Sequence, residues 1–303
     1  MGAILGDSRR GGPTPWGWHR WNDLLQCPRK YDLLYNRGTQ PDIRSNALEF
    51  GGLLHECLAM YYEEVKSFLF EQNDALANQR WDAFCVQPSW QGLLDTISQR
   101  GGESFLDLVD DVRRVMTAYA QFYPFLRDSF LQHDIACIEE PIEVSGAFNF
   151  TTRVDLGYKS EAGLWIVDHK SSRMLTEDLV SGWAINGQML GLAYAGLQHW
   201  PDESLRGLVI NIIVRTKLPQ FKRVTVPLRR DLVESWTRHM RVWAQEMMPA
   251  YAAAGWPPNY ASCIHRYGRC VFYGECDEAC AAPAVPATDE SAEQEDFAAI
   301  WEV

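Results

Sequence analysis

The residues best suited to chemistry lie in one stretch, Thr151 to Ser172, which reads TTRVDLGYKSEAGLWIVDHKSS. A turn over Ser160 to Gly163 predicts a β-hairpin that sets Asp155 directly opposite Asp168, with Cβ atoms roughly 5 Å apart. Strand alternation puts Lys170 on the face of Asp168 and Arg153 across from it. Val154, Leu156, Trp165 and Val167 then fall on the other face, against a core. Two carboxylates this close repel, and one is driven toward protonation unless a cation sits between them. A divalent metal removes the conflict, and the chemistry it would support is hydrolysis by an acidified water. Lys170 would either take the water's proton or stay charged beside the transition state. Taken alone, such a hairpin fits a buried Asp–Lys ion pair, or a charged face turned to water, equally well.

A second concentration of reactive side chains lies near the C-terminus. Cys263, Cys270, Cys276 and Cys280 fall within eighteen residues, alongside Gly268 and Gly274. In a reducing compartment such a cluster implies metal ligation more than a disulfide framework. Zinc and an iron–sulfur cluster both accept thiolates, and the spacing is not the paired C-x-x-C of zinc ribbons. Four ligands could come from this block, or three could join the distant Cys27.

These residues need a scaffold, and 303 residues with 47% apolar content can bury a large core. No apolar run approaches the roughly eighteen residues of a membrane span, and the first residues lack a signal-peptide core, so a cytoplasmic location and no membrane partner are expected. The net charge of −12 argues against a broadly basic nucleic-acid footprint, but half of it comes from six acids in residues 283–303, which contain no Lys or Arg. That tail reads as a disordered appendage that could dock a protein partner through Phe297, Ile300 and Trp301.

Along the chain, residues 1–20 read as a flexible arm. Apolar spacing predicts a helix over Trp21 to Tyr35, restarted at Pro28, and another over Ala47 to Phe70 that carries Gly51, Gly52 and His55. Residues 75–133 read as a helical insertion with helices around Trp81 to Arg100 and Glu103 to Leu131. Ile135 to Val144 reads as a strand with Pro141 at an edge or bulge. One helix is expected over Thr176 to His199, with Gln188 and Tyr194 on it. Two strands, Gly207 to Arg215 and Phe221 to Leu228, precede a long helix from Asp231 to Tyr251. The bases Arg215, Lys217, Lys222, Arg223, Arg229 and Arg230 suit either a solvated edge strand or phosphate contacts. Trp16, Trp18, Trp21 and Tyr31 could stack on unpaired bases, or simply belong to the core.

Cys27-Pro28-Arg29-Lys30-Tyr31, Gly51 with His55, Asp155, Asp168-His169-Lys170, Gln188, and Cys263, Cys270 and Cys276 occur in an order that resembles the PD-(D/E)XK nuclease superfamily, in its RecB-like branch of CRISPR-associated and phage exonucleases. The resemblance implies an α/β restriction-endonuclease-like core: a mixed central sheet flanked by helices, in a nuclease domain spanning 21–282 with a Cys-rich segment at 260–280. It also implies a Mg²⁺- or Mn²⁺-dependent deoxyribonuclease acting on DNA ends or single strands in repair, recombination or phage DNA processing. His55, Asp155, Asp168 and the main-chain carbonyl of His169 would be metal ligands, Lys170 the catalytic lysine, and Gln188 the residue that orients water or substrate. Cys27, Cys263, Cys270 and Cys276 would hold a [4Fe–4S] cluster, with Zn²⁺ as the alternative and Cys280 a spare ligand. Arg153, Tyr194, Arg215, Lys217, Lys222 and Arg223 would contact DNA. The tyrosine the family places four residues after the glutamine is here Leu192, and Tyr194 follows two residues later. A catalytically silent DNA-binding scaffold and a zinc-stapled partner-binding protein are the competing readings.

Overall fold

A computed structural model describes residues 14–39, 46–69, 103–123, 127–201, 203–265 and 268–278. The expected helix at Trp81 to Arg100, Cys280 and the acidic tail lie outside them. Helix α1 (Trp18–Gln26) stops at Cys27, and α2 (Pro28–Tyr31) restarts with Pro28 in its first turn, where a missing N–H costs nothing. Helices α3 (Asn46–Leu69) and α4 (Glu103–Phe122) follow. Strands β1 (Asp134–Val144), β2 (Phe150–Ser160) and β3 (Gly163–Ser172) then form an antiparallel meander. Helices α5 (Glu177–Ala184) and α6 (Gly187–His199) carry the chain over to β4 (Leu205–Val214), which runs parallel to β3; β5 (Gln220–Pro227) returns antiparallel. The result is a mixed five-stranded sheet in the order β1-β2-β3-β4-β5. Helix α7 (Arg230–Val242) comes next, and the last elements are short: α8 (Met248–Ala253), β6 (Ile264–His265), β7 (Gly268–Arg269) and α9 (Tyr273–Glu278).

Each face of the sheet buries its own apolar cluster. Phe50, Leu54, Leu58 and Tyr62 of α3 and Val112, Val115 and Tyr119 of α4 pack with Val167, Val209 and Ile213. On the other face, Trp21 and Leu24 of α1, Met189 and Leu192 of α6, and Val233 and Trp236 of α7 meet Leu164, Ile166, Ile210 and Ile212. Alternation along β3 and β4 assigns odd residues to the first face and even residues to the second. From Gly207 to Val214 strand β4 is therefore buried and, Asn211 apart, apolar, as expected of a central strand covered on both sides.

Several expectations change. The helix expected over Thr176 to His199 is two, because Asn186 leaves the helical conformation and its side chain accepts the Met189 N–H (2.9 Å) as an N-cap. Helix α4 ends at Phe122 rather than near Leu131, and Asp128 is buried beyond it. The flexible arm does not extend to residue 20. Thr14 and Trp16 bond to Thr151 at the start of β2, and α1 begins at Trp18. Trp21 and Tyr31 are core residues and are not available for stacking on bases. Gly51 and Gly52 are not sterically required: a Cβ on the first would sit 3.5 Å from Ser171 Oγ, and on the second would meet nothing within 4 Å.

The β1–β2 ladder shifts register between Ile135 and Cys137 and is irregular again at Glu139. Ile138 and Leu156 pair and pack on the first face, whereas Ile142 and Val154 pack on the second. Val154 therefore departs from the expected alternation. Glu139 and Asp155 fall between the paired residues Ile138–Leu156 and Glu140–Val154, and Glu139 adopts φ 51, in the left-handed region. Side chains normally avoid that region at a cost of about 1 kcal/mol or more. Both strands change face at this rung, which turns its two acids toward α3.

Candidate active site

The β2–β3 register pairs Ser160 with Gly163 and Leu156 with Val167, and the paired ladder ends there, just short of Asp155 and Asp168. In place of the next backbone bond, Asp155 Oδ2 accepts the His169 N–H (2.7 Å). Asp155 Oδ1 faces His55 Nδ1 of α3 at 3.3 Å. Strand alternation sends Asp168 and Lys170 to the α6 side, where Gln188 completes a closed ring. Lys170 Nζ lies 2.6 Å from Asp168 Oδ2 and donates to Gln188 Oε1 (2.9 Å), and Gln188 Nε2 donates to Asp168 Oδ1 (3.1 Å).

The His169 side chain points the opposite way. It stacks on Tyr62 with an interplanar angle of 4°, and its Nδ1 lies 2.8 Å from Asn211 Nδ2. Burial lowers its pKa to about 3, so the ring is neutral and Nδ1 accepts. Asn211 also donates to Tyr119 (2.9 Å), Tyr119 and Tyr62 share a hydroxyl bond (2.8 Å), and Arg223 donates to Tyr119 (2.9 Å). A buried polar network thus fixes the residue whose backbone N–H holds Asp155.

Burial and neighbours push the two aspartates apart. Burial disfavours ionised Asp155, but the His55 charge and the hydrogen bonds from His55 and His169 outweigh it and hold its carboxyl well below the usual range. For Asp168 burial prevails over Lys170, and its pKa is raised. Burial also opposes a proton on His55, yet the Asp155 carboxylate more than offsets this and raises the pKa. Two carboxylates with opposed shifts in one site are the usual mark of a functional assignment.

A third acid was not singled out in the sequence. The ligand atoms of Glu139, His55 and Asp155 all lie within 4.8 Å of one another. Burial, then the Asp155 charge, raises Glu139 to about 7 against the pull of Arg153, whose Nε lies 2.5 Å from Glu139 Oε2. The sequence did carry a signal, in that Pro141 marked this strand as irregular. One imidazole and two carboxylates form a donor set that suits Mg²⁺ or Mn²⁺, and an anionic group this buried fits a divalent ion.

The expected DNA contacts separate into two groups. Arg223 is an internal residue: its guanidinium grips the fully buried Asp128 at 2.5 and 3.0 Å and covers Tyr123 and Phe130. Tyr194 is packed among Phe148, Phe150 and Trp236. Lys217 and Lys222 are exposed, and Arg215 lies beside the site, its N–H donating to Ser172 O (2.8 Å).

Cys27 and the C-terminal cysteines meet across the chain. Asn259 N–H donates to Cys27 Sγ (3.3 Å), Asn259 Nδ2 to Gln26 O (2.8 Å), and Cys270 N–H to Cys263 O (2.7 Å). Burial, then the neighbouring sulfurs Cys27, Cys270 and Cys263, raise the Cys276 thiol; Cys263 is raised by burial and by Cys27 and Cys270.

A family model for the PD-(D/E)XK nuclease superfamily matches residues 16–277. The chain belongs to this superfamily. As a PD-(D/E)XK protein it is a hydrolytic nuclease with a nucleic-acid substrate, and the mixed sheet flanked by helices is the superfamily's fold. A crystal structure from Eubacterium rectale, described as "Putative exonuclease", is similar in fold, with a TM-score of 0.51 at 13% identity over 86% of this chain and 84% of that one. No curated protein matches the sequence. Among the described residues no helix is long and apolar enough to cross a membrane.

Proposed function

We propose that this PD-(D/E)XK protein is a Mg²⁺- or Mn²⁺-dependent deoxyribonuclease that degrades DNA from ends or single strands. The observation that carries the reading is the pair Asp155 and Asp168, close enough to act on each other just past the end of the β2–β3 ladder, with opposed pKa shifts and with Lys170 and Gln188 held against Asp168. When bound, a divalent ion would acidify the attacking water and offset charge growing on the phosphate. Asp155, Asp168 and His55 would hold it, with the His169 carbonyl a further donor. Lys170 donates to Gln188 and is ion-paired with Asp168, which fixes Nζ and leaves donor capacity for water or a phosphate oxygen. Gln188 keeps that geometry from α6. Arg215 and Lys217 lie in the turn after β4 and Lys222 on β5, and they supply positive charge for the DNA backbone; Arg153 is a further contact once free of Glu139.

Cys27, Cys263, Cys270 and Cys276 are the ligands of a [4Fe–4S] cluster that ties the N-terminal helices to the C-terminal segment. Sulfurs that raise one another's pKa fit an ion that absorbs thiolate charge. Its role is that of a long-range cross-link. Digestion of end-labelled single- and double-stranded DNA with either metal, beside iron and zinc analysis of the same preparation, tests both parts. Stepwise shortening and about four irons per chain are expected. Intact DNA would overturn the nuclease reading, and zinc without iron would overturn the cluster.

A further inference from the structure

Glu139 has no part in the scheme above, yet it occupies the most unusual backbone position at the site. The geometry points to Glu139 as an additional protein ligand that passes between Arg153 and the metal, so that His55, Glu139 and Asp155 grip the ion from one side while Asp168, Lys170 and Gln188 face the reacting phosphate. This inference rests on the metal-nuclease reading.

Three observations support it. First, the donor atoms of His55, Glu139 and Asp155 already lie within 4.8 Å of one another. Donors about 2.1 Å from a six-coordinate ion stand about 3.0 to 4.2 Å apart, so binding requires only a small contraction. Second, Asp168 Oδ1 accepts from Gln188 and Oδ2 is ion-paired with Lys170, while Asp155 turns Oδ1 toward His55 on the Glu139 side. Asp155 Oδ1 therefore faces the side from which Glu139 can join. Third, Asp155, Asp168 and Glu139, with Glu56 on the same negative side, face three cations, Lys170, Arg153 and His55. An ion-free site is short of positive charge, and Arg153 covers part of the deficit. The Arg153 side chain is 37% exposed and can swing into solvent when a divalent ion takes its place. The face change at this rung is what brings Glu139 to the site at all, and a regular strand would point it elsewhere.

The test is a calorimetric Mn²⁺ titration of the full chain without DNA, for the native protein, Glu139→Gln and Arg153→Gln, together with thermal unfolding with and without Mn²⁺. Glu139→Gln should weaken Mn²⁺ binding about tenfold or more. Arg153→Gln should tighten it several-fold, because the competing partner is gone. Glu139→Gly guards against a simple folding effect. Free of left-handed strain, it should melt higher than native without metal and lose most of the Mn²⁺-induced rise. Native affinity in Glu139→Gln to within about twofold, or a full Mn²⁺-induced rise in Glu139→Gly, overturns the inference. If the native chain cuts DNA and binds Mn²⁺ while Glu139→Gln binds equally well, only this inference fails. If the native chain neither binds Mn²⁺ nor cuts DNA, the nuclease reading fails with it.

Discussion

Replacing Arg223 with glutamine separates an architectural arginine from a DNA-contacting one. Its guanidinium donates to both oxygens of Asp128, to Tyr119 and to Ser129. Asp128 is fully buried, and its other donors are the Tyr62 hydroxyl (3.2 Å) and the Phe130 N–H (2.9 Å). Breaking a buried ion pair by removing one partner costs about 3 to 5 kcal/mol, because the remaining charge stays buried. Two donors survive here, which puts the expected loss near the lower end, at about 3 kcal/mol. Asp128→Asn added to Arg223→Gln removes the stranded charge and should recover more than half of that loss. The assay is urea unfolding of the two variants beside Lys222→Gln, an exposed position expected to stay within about 0.5 kcal/mol of native. The salt dependence of DNA binding, measured in parallel, should lose about one unit of slope in Lys222→Gln and none in Arg223→Gln. Native stability in Arg223→Gln together with a reduced salt slope would refute this reasoning and return Arg223 to the DNA interface.

Gly187 opens α6, and a Cβ there would fall inside the Trp18 ring. Gly187→Ala should destabilise the fold by about 1 to 3 kcal/mol. It should also slow cleavage about tenfold or more by displacing Gln188, with Trp18→Ala in the same chain restoring rate before stability. His19 is held near pKa 4 against an ordinary 6.5 by burial, and its Nε2 has no hydrogen-bond partner among the described residues. The fold favours the neutral ring, so its stabilisation is complete above pH 6.5 and is lost as pH falls from there through 4. The loss is at most about 3 kcal/mol. Thermal unfolding across that window should show the decline, and His19→Gln should flatten it.

The β2–β3 hairpin was legible because its information is local: a turn at Ser160 to Gly163 and period-2 alternation fix the register through Leu156 and Val167 and the face of Asp168 and Lys170, whereas the change of face at Val154 and Asp155 was not foreseen. Strand β4 was legible for a similar reason, since a strand covered on both sides is apolar at nearly every position, with Asn211 the buried exception. Glu139 was not, because its role depends on a left-handed residue and a shared change of face across two strands, and residue spacing encodes neither. The function of Arg223 depends on Asp128, 95 positions away in sequence, so a basic strand near a proposed DNA site looked like a phosphate contact. The break before α6 was marked by Asn186, whose capping tendency was outweighed by the apolar periodicity on both sides of it.

The central claim is that Asp155, Asp168 and Lys170 form a hydrolytic centre dependent on a divalent metal. It is tested most directly by single-turnover cleavage of end-labelled DNA in Mg²⁺ and in Mn²⁺ by the native chain and by Lys170→Ala, each shown to be folded and to carry the same metal content at its cysteines. The account predicts metal-dependent cleavage by the native chain that Lys170→Ala loses by several orders of magnitude while its DNA affinity changes little. Equal cleavage by the two proteins, or cleavage that persists in chelator, would contradict it.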